Sequence, residues 1–221
     1  MNIYFISGLG ADKRIFQKLK LPAEFQIHYL EWVPVFPGEP IKNYCIRLSS
    51  QIDQTAPFIL TGVSFGGVIA IELSKFLSPV QTVIISSFCF KKEVSKLYIF
   101  LGKVRIFSLF PVSVLLKPNT IIFRLFGLYN PEGKKLLTEI LSETDPVFFR
   151  WAVRQLFSWD NQWKPSPFLH IHGTADKILP YHRNMEAIKV MGGEHLMVYS
   201  KAGEISSILG EKLLRRRRLP E

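Results

Sequence analysis

The sequence predicts an α/β protein with a mostly parallel central sheet that is flanked by helices and carries an inserted helical cap. Short apolar runs rich in β-branched and aromatic residues alternate with helix-compatible segments, which is typical of parallel strands joined by crossover helices. One long segment, at about 88–162, breaks this alternation, because it is dense in Phe, Leu and Ile and is divided by prolines. We therefore expect a single domain over residues 1–221, with the cap inserted at about 88–162.

The predicted elements follow from the apolar runs and from the turn residues that bound them. Each run that reads as a strand ends at glycine, proline or polar residues: Ile3–Ile6, Phe25–Trp32, Phe58–Leu60, Val80–Ser86 and Phe168–Ile171. Helices are expected over about 41–54 and 68–76. The third strand leads through a glycine-rich turn into the second of these helices, so a strand, a sharp turn and a helix follow one another directly.

The chain is basic: 28 Lys and Arg against 18 Asp and Glu give it a net charge of +10. Such a charge raises nucleic acid, an anionic carrier or a membrane surface as partners. Nucleic acid is not expected, because no basic and aromatic recognition motif accompanies the charge. An anionic carrier or a membrane surface stays open. The run Arg215–Arg218 has two interpretations, both of which stay open. It is either a set of cations favoured by the dipole of a helix end or a solvated tail.

Several classes of protein are excluded by the sequence. Cys45 and Cys89 have no zinc-ligand or disulfide spacing, so neither a metal nor a disulfide is expected. Gly8-x-Gly10 places Lys13 where a dinucleotide loop needs its third glycine, and we expect no cofactor. Lys and Arg residues interrupt the apolar stretch Leu97–Tyr129, which argues against a membrane span but leaves an interfacial helix open. Because the chain opens without a basic leader, a cytoplasmic location is expected.

The sharpest chemical signal is Gly62-x-Ser64-x-Gly66, between a predicted strand and a predicted helix. A serine can attack a substrate only if its hydroxyl stands clear of the sheet, and small neighbours make the required tight turn sterically possible. A plain glycine turn is the alternative interpretation of the same string. The strand before it and the helix after it favour a nucleophile at Ser64.

A nucleophilic serine needs a base, and the base needs a group that orients it. His195 closes the glycine-rich stretch Gly192–His195, and Asp176 closes the stretch His172–Asp176, which directly follows the predicted strand Phe168–Ile171. Strand ends converge at one edge of a parallel sheet, so Ser64, Asp176 and His195 are expected to meet there. His28, His170 and His172 read as structural, the last two on opposite faces of their strand. Asp160 is the competing acid.

Taken together, these motifs resemble the α/β-hydrolase fold superfamily, in particular its small capped esterase- and lipase-like serine hydrolases. The resemblance is carried by Gly8–Asp12, Gly62–Gly67, His172–Pro180 and Gly192–His195, in that order along the chain. It implies a serine that forms an acyl-enzyme, a histidine that carries the proton and an acid that orients the histidine. The first predicted strand leads directly into the loop Gly8–Asp12, so the edge strands of larger members are not expected and a sheet of about six strands is.

The resemblance also implies an oxyanion hole formed by the backbone amides of Phe65 and Leu9. Many relatives have His-Gly at the start of the loop where this chain has Ser7-Gly8. The expected function is hydrolysis of a carboxylic ester or thioester, with a small-molecule acyl compound as substrate. The cap contains many apolar side chains, among them Phe100, Phe107, Phe110, Phe123 and Phe126. They favour either a hydrophobic acyl group as ligand or packing of the cap helices against the core, and both interpretations stay open. A non-catalytic, hydrolase-like ligand-binding protein is the alternative.

Overall fold

The computed structural model describes residues 1–94, 111–182 and 185–217, and in these ranges it contains one six-stranded sheet whose neighbouring strands are all parallel. The strands lie in the order β2-β1-β3-β4-β5-β6. Their bounds are β1 Asn2–Ile6, β2 Gln26–Leu30, β3 Phe58–Val63, β4 Gln81–Ile85, β5 Phe168–Gly173 and β6 Ile188–Val190. The predicted α/β class and the predicted number of strands are confirmed.

The described residues form eight α-helices, four of which lie between β4 and β5. Their bounds are α1 Ile41–Leu48, α2 Phe65–Ser74, α3 Val112–Leu115, α4 Thr120–Phe126, α5 Pro131–Glu143, α6 Pro146–Ser158, α7 Met197–Ser200 and α8 Ala202–Arg217. Helices α3 to α6 fall in the segment 88–162. That they act as a cap over a substrate stays a prediction, and Phe100, Phe107 and Phe110 lie outside the described residues.

The sheet buries apolar side chains on both faces. In β1, Ile3 and Phe5 belong to one core cluster, whereas Tyr4 and Ile6 belong to a second cluster on the other face. This alternation follows from the two-residue period of a strand. Helices α5, α7 and α8 pack into the first cluster, and α1, α2 and α6 pack into the second. Helices therefore cover both faces, which explains why the strands read as continuous apolar runs.

Two predicted helix boundaries differ from the observed ones. The helix expected over 41–54 ends at Leu48, where Ser49 Oγ donates to Ile46 O (2.7 Å) and Ser50 Oγ donates to Arg47 O (2.9 Å). Such local hydrogen bonds let serine compete with a continued helix. The helix expected from residue 68 begins at Phe65 instead, because the turn before it is complete by Ser64.

The side of the sheet to which the chain adds strands reverses after β2, which lies on one side of β1 while β3 lies on the other. Strand β1 pairs with β2 on one side and with β3 on the other, so the chain is wound outward from the β1–β3 pair. In open parallel sheets, ligands bind beyond the carboxyl ends of the strands at such a switch point. Among the described residues no helix combines the length and apolar composition needed to cross a bilayer.

Candidate active site

Ser64 lies between the last residue of β3 and the first residue of α2, in a backbone conformation that L-residues rarely adopt (φ 54°, ψ −120°). The flanking glycines make this turn possible. A Cβ on Gly62 would lie 2.1 Å from Gly66 O, and a Cβ on Gly66 would lie 2.3 Å from both Ile6 O and Ser7 O. Neither site accommodates a side chain, so the Gly-x-Ser-x-Gly spacing is sterically required here.

Ser64, His195 and Asp176 lie together beyond the carboxyl ends of β3, β6 and β5. His195 Nε2 is 3.0 Å from Ser64 Oγ, and His195 Nδ1 is 2.9 Å and 3.1 Å from the two carboxylate oxygens of Asp176. The histidine and the aspartate are 3% and 4% exposed, whereas the serine is more accessible. The three residues therefore have the geometry of a nucleophile, a base and an orienting acid.

Asp176 is held as a carboxylate. Burial alone would raise the pKa of Asp176, but the charge of His195, the hydrogen bond from its ring and the Leu179 N–H outweigh burial and lower that pKa. Its Oδ1 accepts hydrogen bonds from the backbone N–H groups of Ile178 (2.9 Å) and Leu179 (2.8 Å). A carboxylate facing Nδ1 favours the tautomer with the proton on that nitrogen, which leaves the Nε2 lone pair facing Ser64.

His170 and His172 contact each other, so the prediction that they lie on opposite faces of the strand is wrong. Residues two apart share a face, because the side-chain period of a strand is two. His172 Nε2 lies 2.8 Å from Leu179 O and donates to it, and His170 Nε2 lies 3.2 Å from His172 Nδ1. Burial lowers the pKa of both rings, to about 3 for His170. Two neutral imidazoles thus support the loop that carries Asp176.

Of the two residues whose amides are predicted to form an oxyanion hole, Phe65 directly follows the serine and Leu9 follows Gly8, which lies alongside the serine. Phe65 is the first residue of α2, and the N–H groups of a helix's first turn have no partner within the helix. Leu9 lies in a turn closed by Ala11 N donating to Gly8 O (3.0 Å). A Cβ on Gly8 would be 3.4 Å from Ser64 Cβ, so this turn passes directly alongside the serine. That these amides act as donors to an oxyanion stays a prediction.

Sequence reasoning missed Ser87, which supports the serine turn. Its Oγ donates to the carbonyl oxygen of Ser64 at 2.7 Å, and a Cβ on Gly67 would approach that Oγ to 2.4 Å. Ser86, which precedes it, also has a positive φ of 47°. The signal was present in the sequence, since Ser86-Ser87 closes the predicted strand Val80–Ser86 at the edge where Ser64 was expected.

The remaining candidates lie away from this cluster or have another role. Asp160, the competing acid, is exposed, whereas Asp176 touches the histidine. His28 stacks on Tyr4 with ring centroids 4.8 Å apart, as expected of a structural residue. Within the described ranges, no three His, Cys, Asp or Glu residues are grouped to hold a metal ion. Cys45 and Cys89 are buried free thiols.

No family model and no curated protein matches this sequence. Solved structures do match it along nearly its whole length. MenH from S. aureus has a TM-score of 0.75 at 14% identity, covering 99% of this chain and 95% of that chain. An esterase from Thermogutta terrifontis has a TM-score of 0.72 at 14% identity, with 98% and 90% covered. A lipase-esterase related protein from Clostridium acetobutylicum has a TM-score of 0.67 at 17% identity, with 95% and 93% covered. The chain therefore has the α/β-hydrolase fold, as the motifs predicted.

Proposed function

We propose that this chain is a serine hydrolase that cleaves a carboxylic ester or thioester through an acyl-enzyme intermediate. The observation that carries the proposal is the continuous hydrogen-bonded chain from Ser64 Oγ through the His195 ring to the Asp176 carboxylate. A hydroxyl is a weak nucleophile at neutral pH, and the His195 ring nitrogen at 3.0 Å is the base that would activate it. The site needs no cofactor for this chemistry.

In the acylation step, Ser64 Oγ attacks the carbonyl carbon of the substrate while His195 Nε2 takes the serine proton. The carbonyl oxygen becomes an oxyanion, which would accept hydrogen bonds from the Phe65 and Leu9 amides. The intermediate then collapses as the C–O or C–S bond breaks. His195 gives its proton to the departing alcohol or thiol, and the acyl group stays on Ser64.

In the deacylation step, a water molecule takes the place of the departed group. His195 Nε2 removes a proton from this water as its oxygen attacks the acyl carbon, and the second tetrahedral intermediate expels Ser64 Oγ. The proton held on His195 returns to the serine and the carboxylic acid leaves. In both steps the buried Asp176 carboxylate stabilises the imidazolium that forms transiently.

Two apolar side chains near the triad support an apolar acyl group as substrate. Phe126, at the end of α4, places its ring edge-on to the His195 ring, with centroids 5.6 Å apart. Leu9 is partly buried and follows Gly8, which passes beside Ser64. Ligand sites are typically lined by apolar side chains with a few polar groups that orient the ligand. These contacts support an acyl chain or an aromatic acid as the group transferred to Ser64.

The proposal is tested by measuring hydrolysis of p-nitrophenyl esters of increasing acyl length and of an acyl-thioester, by purified wild-type protein and by Ser64→Ala. We expect turnover of at least one substrate, and a fall in kcat of about a thousandfold or more in the variant because the nucleophile is gone. Ser86→Ala serves as a matched control at a second serine with a positive φ, one that is fully buried. Equal turnover by wild type and Ser64→Ala would contradict the proposal.

A non-catalytic binding protein is the alternative that the same experiment separates. Such a protein would retain an acyl ester without releasing acid, in wild type and variant alike. Binding of an uncleaved substrate, measured by calorimetry in the absence of product, would favour that alternative.

A further inference from the structure

Two charged residues stand next to members of the triad in the sequence and pair with each other in space. Lys177 follows Asp176, and Glu194 precedes His195. Lys177 Nζ lies 2.7 Å from Glu194 Oε1. This ion pair joins the loop that carries Asp176, the acid loop, to the loop that carries His195, the base loop. It lies one residue away from the contact between Asp176 and His195. Two contacts therefore join these loops: the hydrogen bond between His195 and Asp176 in the site, and the ion pair between Lys177 and Glu194 beside it.

Tyr129, three residues beyond the end of α4, is a third partner in this ion pair. Tyr129 OH donates to Glu194 Oε1 at 2.5 Å, and Lys177 Nζ donates to Tyr129 OH at 3.1 Å and to Arg124 O at 3.4 Å. We call Lys177, Glu194 and Tyr129 the clasp. The clasp joins the two loops that carry the acid and the base to the helices inserted between β4 and β5.

The chain at the end of α4 packs closely against the residues around the clasp. Gly127 ends α4 with a φ of +75°, and a Cβ there would lie 2.4 Å from Glu194 Cβ. Leu196 N donates to Phe126 O at 3.0 Å, and the Phe126 ring contacts the His195 ring. The end of α4 thus touches three consecutive residues of the base loop, with His195 in the middle.

We propose that the clasp is a positioning device that holds His195 at hydrogen-bond distance from Ser64, an inference that rests on the function proposed above. Lys177 is 48% exposed, and an ion pair with an exposed partner contributes little to stability. Its effect on a rate can be larger, because a displacement of about 1 Å at a reacting group can cost about 100-fold. The clasp therefore acts on reaction geometry more than on folding.

The test is the second-order rate at which a fluorophosphonate probe labels Ser64 in wild type, Lys177→Met, Glu194→Gln and the double variant. We expect each single variant to be labelled about tenfold more slowly. Because the pair acts as a unit, the double variant should be no slower than the slower single variant. Tyr129→Phe removes one hydroxyl from an exposed side chain and should slow labelling by a smaller factor, without any risk to the fold.

The chain offers a matched control. Lys164 Nζ and Glu186 Oε2 are 2.6 Å apart and join the segments that precede the amino ends of β5 and β6, whereas the site lies beyond the carboxyl ends. Lys164→Met with Glu186→Gln should leave the labelling rate at its wild-type value while changing the melting temperature as much as the clasp variants do. Wild-type labelling rates in the clasp variants, or a double variant as slow as the product of the singles, would overturn the inference. Failure of the wild type to label would instead contradict the proposed function.

Discussion

At the scale of single residues, the turn at Ser64 combines an unfavourable backbone conformation with firm support. Its φ of 54° is disfavoured for a residue with a Cβ, yet both of its backbone polar groups are hydrogen-bonded. The Ser64 N–H donates to Ile85 O at 2.9 Å, and its carbonyl accepts from Ser87 Oγ at 2.7 Å. The next strand, β4, and the residues after it therefore hold the serine in place.

The glycines of this turn give a direct steric prediction. Gly62→Ala should lower the free energy of unfolding by more than about 3 kcal/mol, because the new Cβ would overlap the Gly66 backbone, which cannot rotate away. Gly203→Ala is the control. Its Cβ meets nothing within 4 Å in the exposed first turn of α8, and it should raise stability by up to about 1 kcal/mol. Urea titration measures both, and a tolerated Gly62→Ala would contradict this description of the turn.

His170 predicts how stability depends on pH. Below its ordinary pKa of 6.5 the unfolded chain binds a proton at this residue, whereas burial keeps the native ring neutral down to a pKa of about 3. The unfolded state therefore binds more protons in that window, and the free energy of unfolding falls as the pH is lowered from 6.5 towards 3. The slope contributed by this one group is about 1.4 kcal/mol per pH unit.

His170→Gln isolates that contribution, because an amide can still donate to His172 Nδ1 but does not titrate. Denaturant unfolding at several pH values between 6.5 and 4.5 should show a shallower pH dependence in the variant than in the wild type. His28→Gln, at a partly buried position on β2, is the comparison. Parallel wild-type and His170→Gln curves would mean that the native ring accepts a proton in this window.

At the scale of elements, helix α6 is held against α2 and the loop before α1 by buried polar contacts as well as by apolar packing. Trp151 Nε1 of α6 donates to Glu39 O at 2.7 Å, ahead of α1. Trp159 Nε1, just beyond the end of α6, donates to Glu72 Oε1 of α2 at 2.6 Å. Helix α6 is thereby linked to α2, the helix that begins directly after the proposed nucleophile.

Trp159→Phe tests this link. The ring volume is largely kept, but the nearly buried Glu72 carboxylate loses a donor, which should cost about 1–3 kcal/mol of unfolding free energy. Trp163→Phe, at a position that is 42% exposed, should change stability by less than about 0.5 kcal/mol. Thermal unfolding compares the two variants. An equal loss in both would show that the indole–carboxylate contact contributes nothing specific.

The elements of the sheet were predictable because buried parallel strands leave continuous apolar runs bounded by turn residues. Five of the six strands overlap predicted runs, and the sixth, Ile188–Val190, is a three-residue strand that registers only as a short apolar segment. The inserted helices were predicted as a group but not one by one. Their boundaries depend on caps such as Asn130 and Asp145, whose side chains accept from Gly133 N and Val147 N.

At the scale of the whole molecule, the cluster of Ser64, Asp176 and His195 was predictable because the topology of a parallel sheet brings strand ends together. The sequence pattern does not show which side chains of different loops contact each other. Lys177 and Glu194 are ordinary charged residues in the sequence, and their pairing exists only because the acid and base loops are neighbours in space. The two-residue period of β5, applied correctly, would have predicted the contact between His170 and His172.

The fold alone does not fix the reaction, since one fold supports many chemistries. The central claim is therefore that Ser64 is an activated nucleophile. It is tested most directly by treating folded wild-type protein and Ser64→Ala with a fluorophosphonate probe and identifying the modified peptide by mass spectrometry. We expect stoichiometric modification of the wild type at Ser64 and none of the variant. Folded wild-type protein that stays unmodified, or that is modified equally after Ser64→Ala, would contradict the claim.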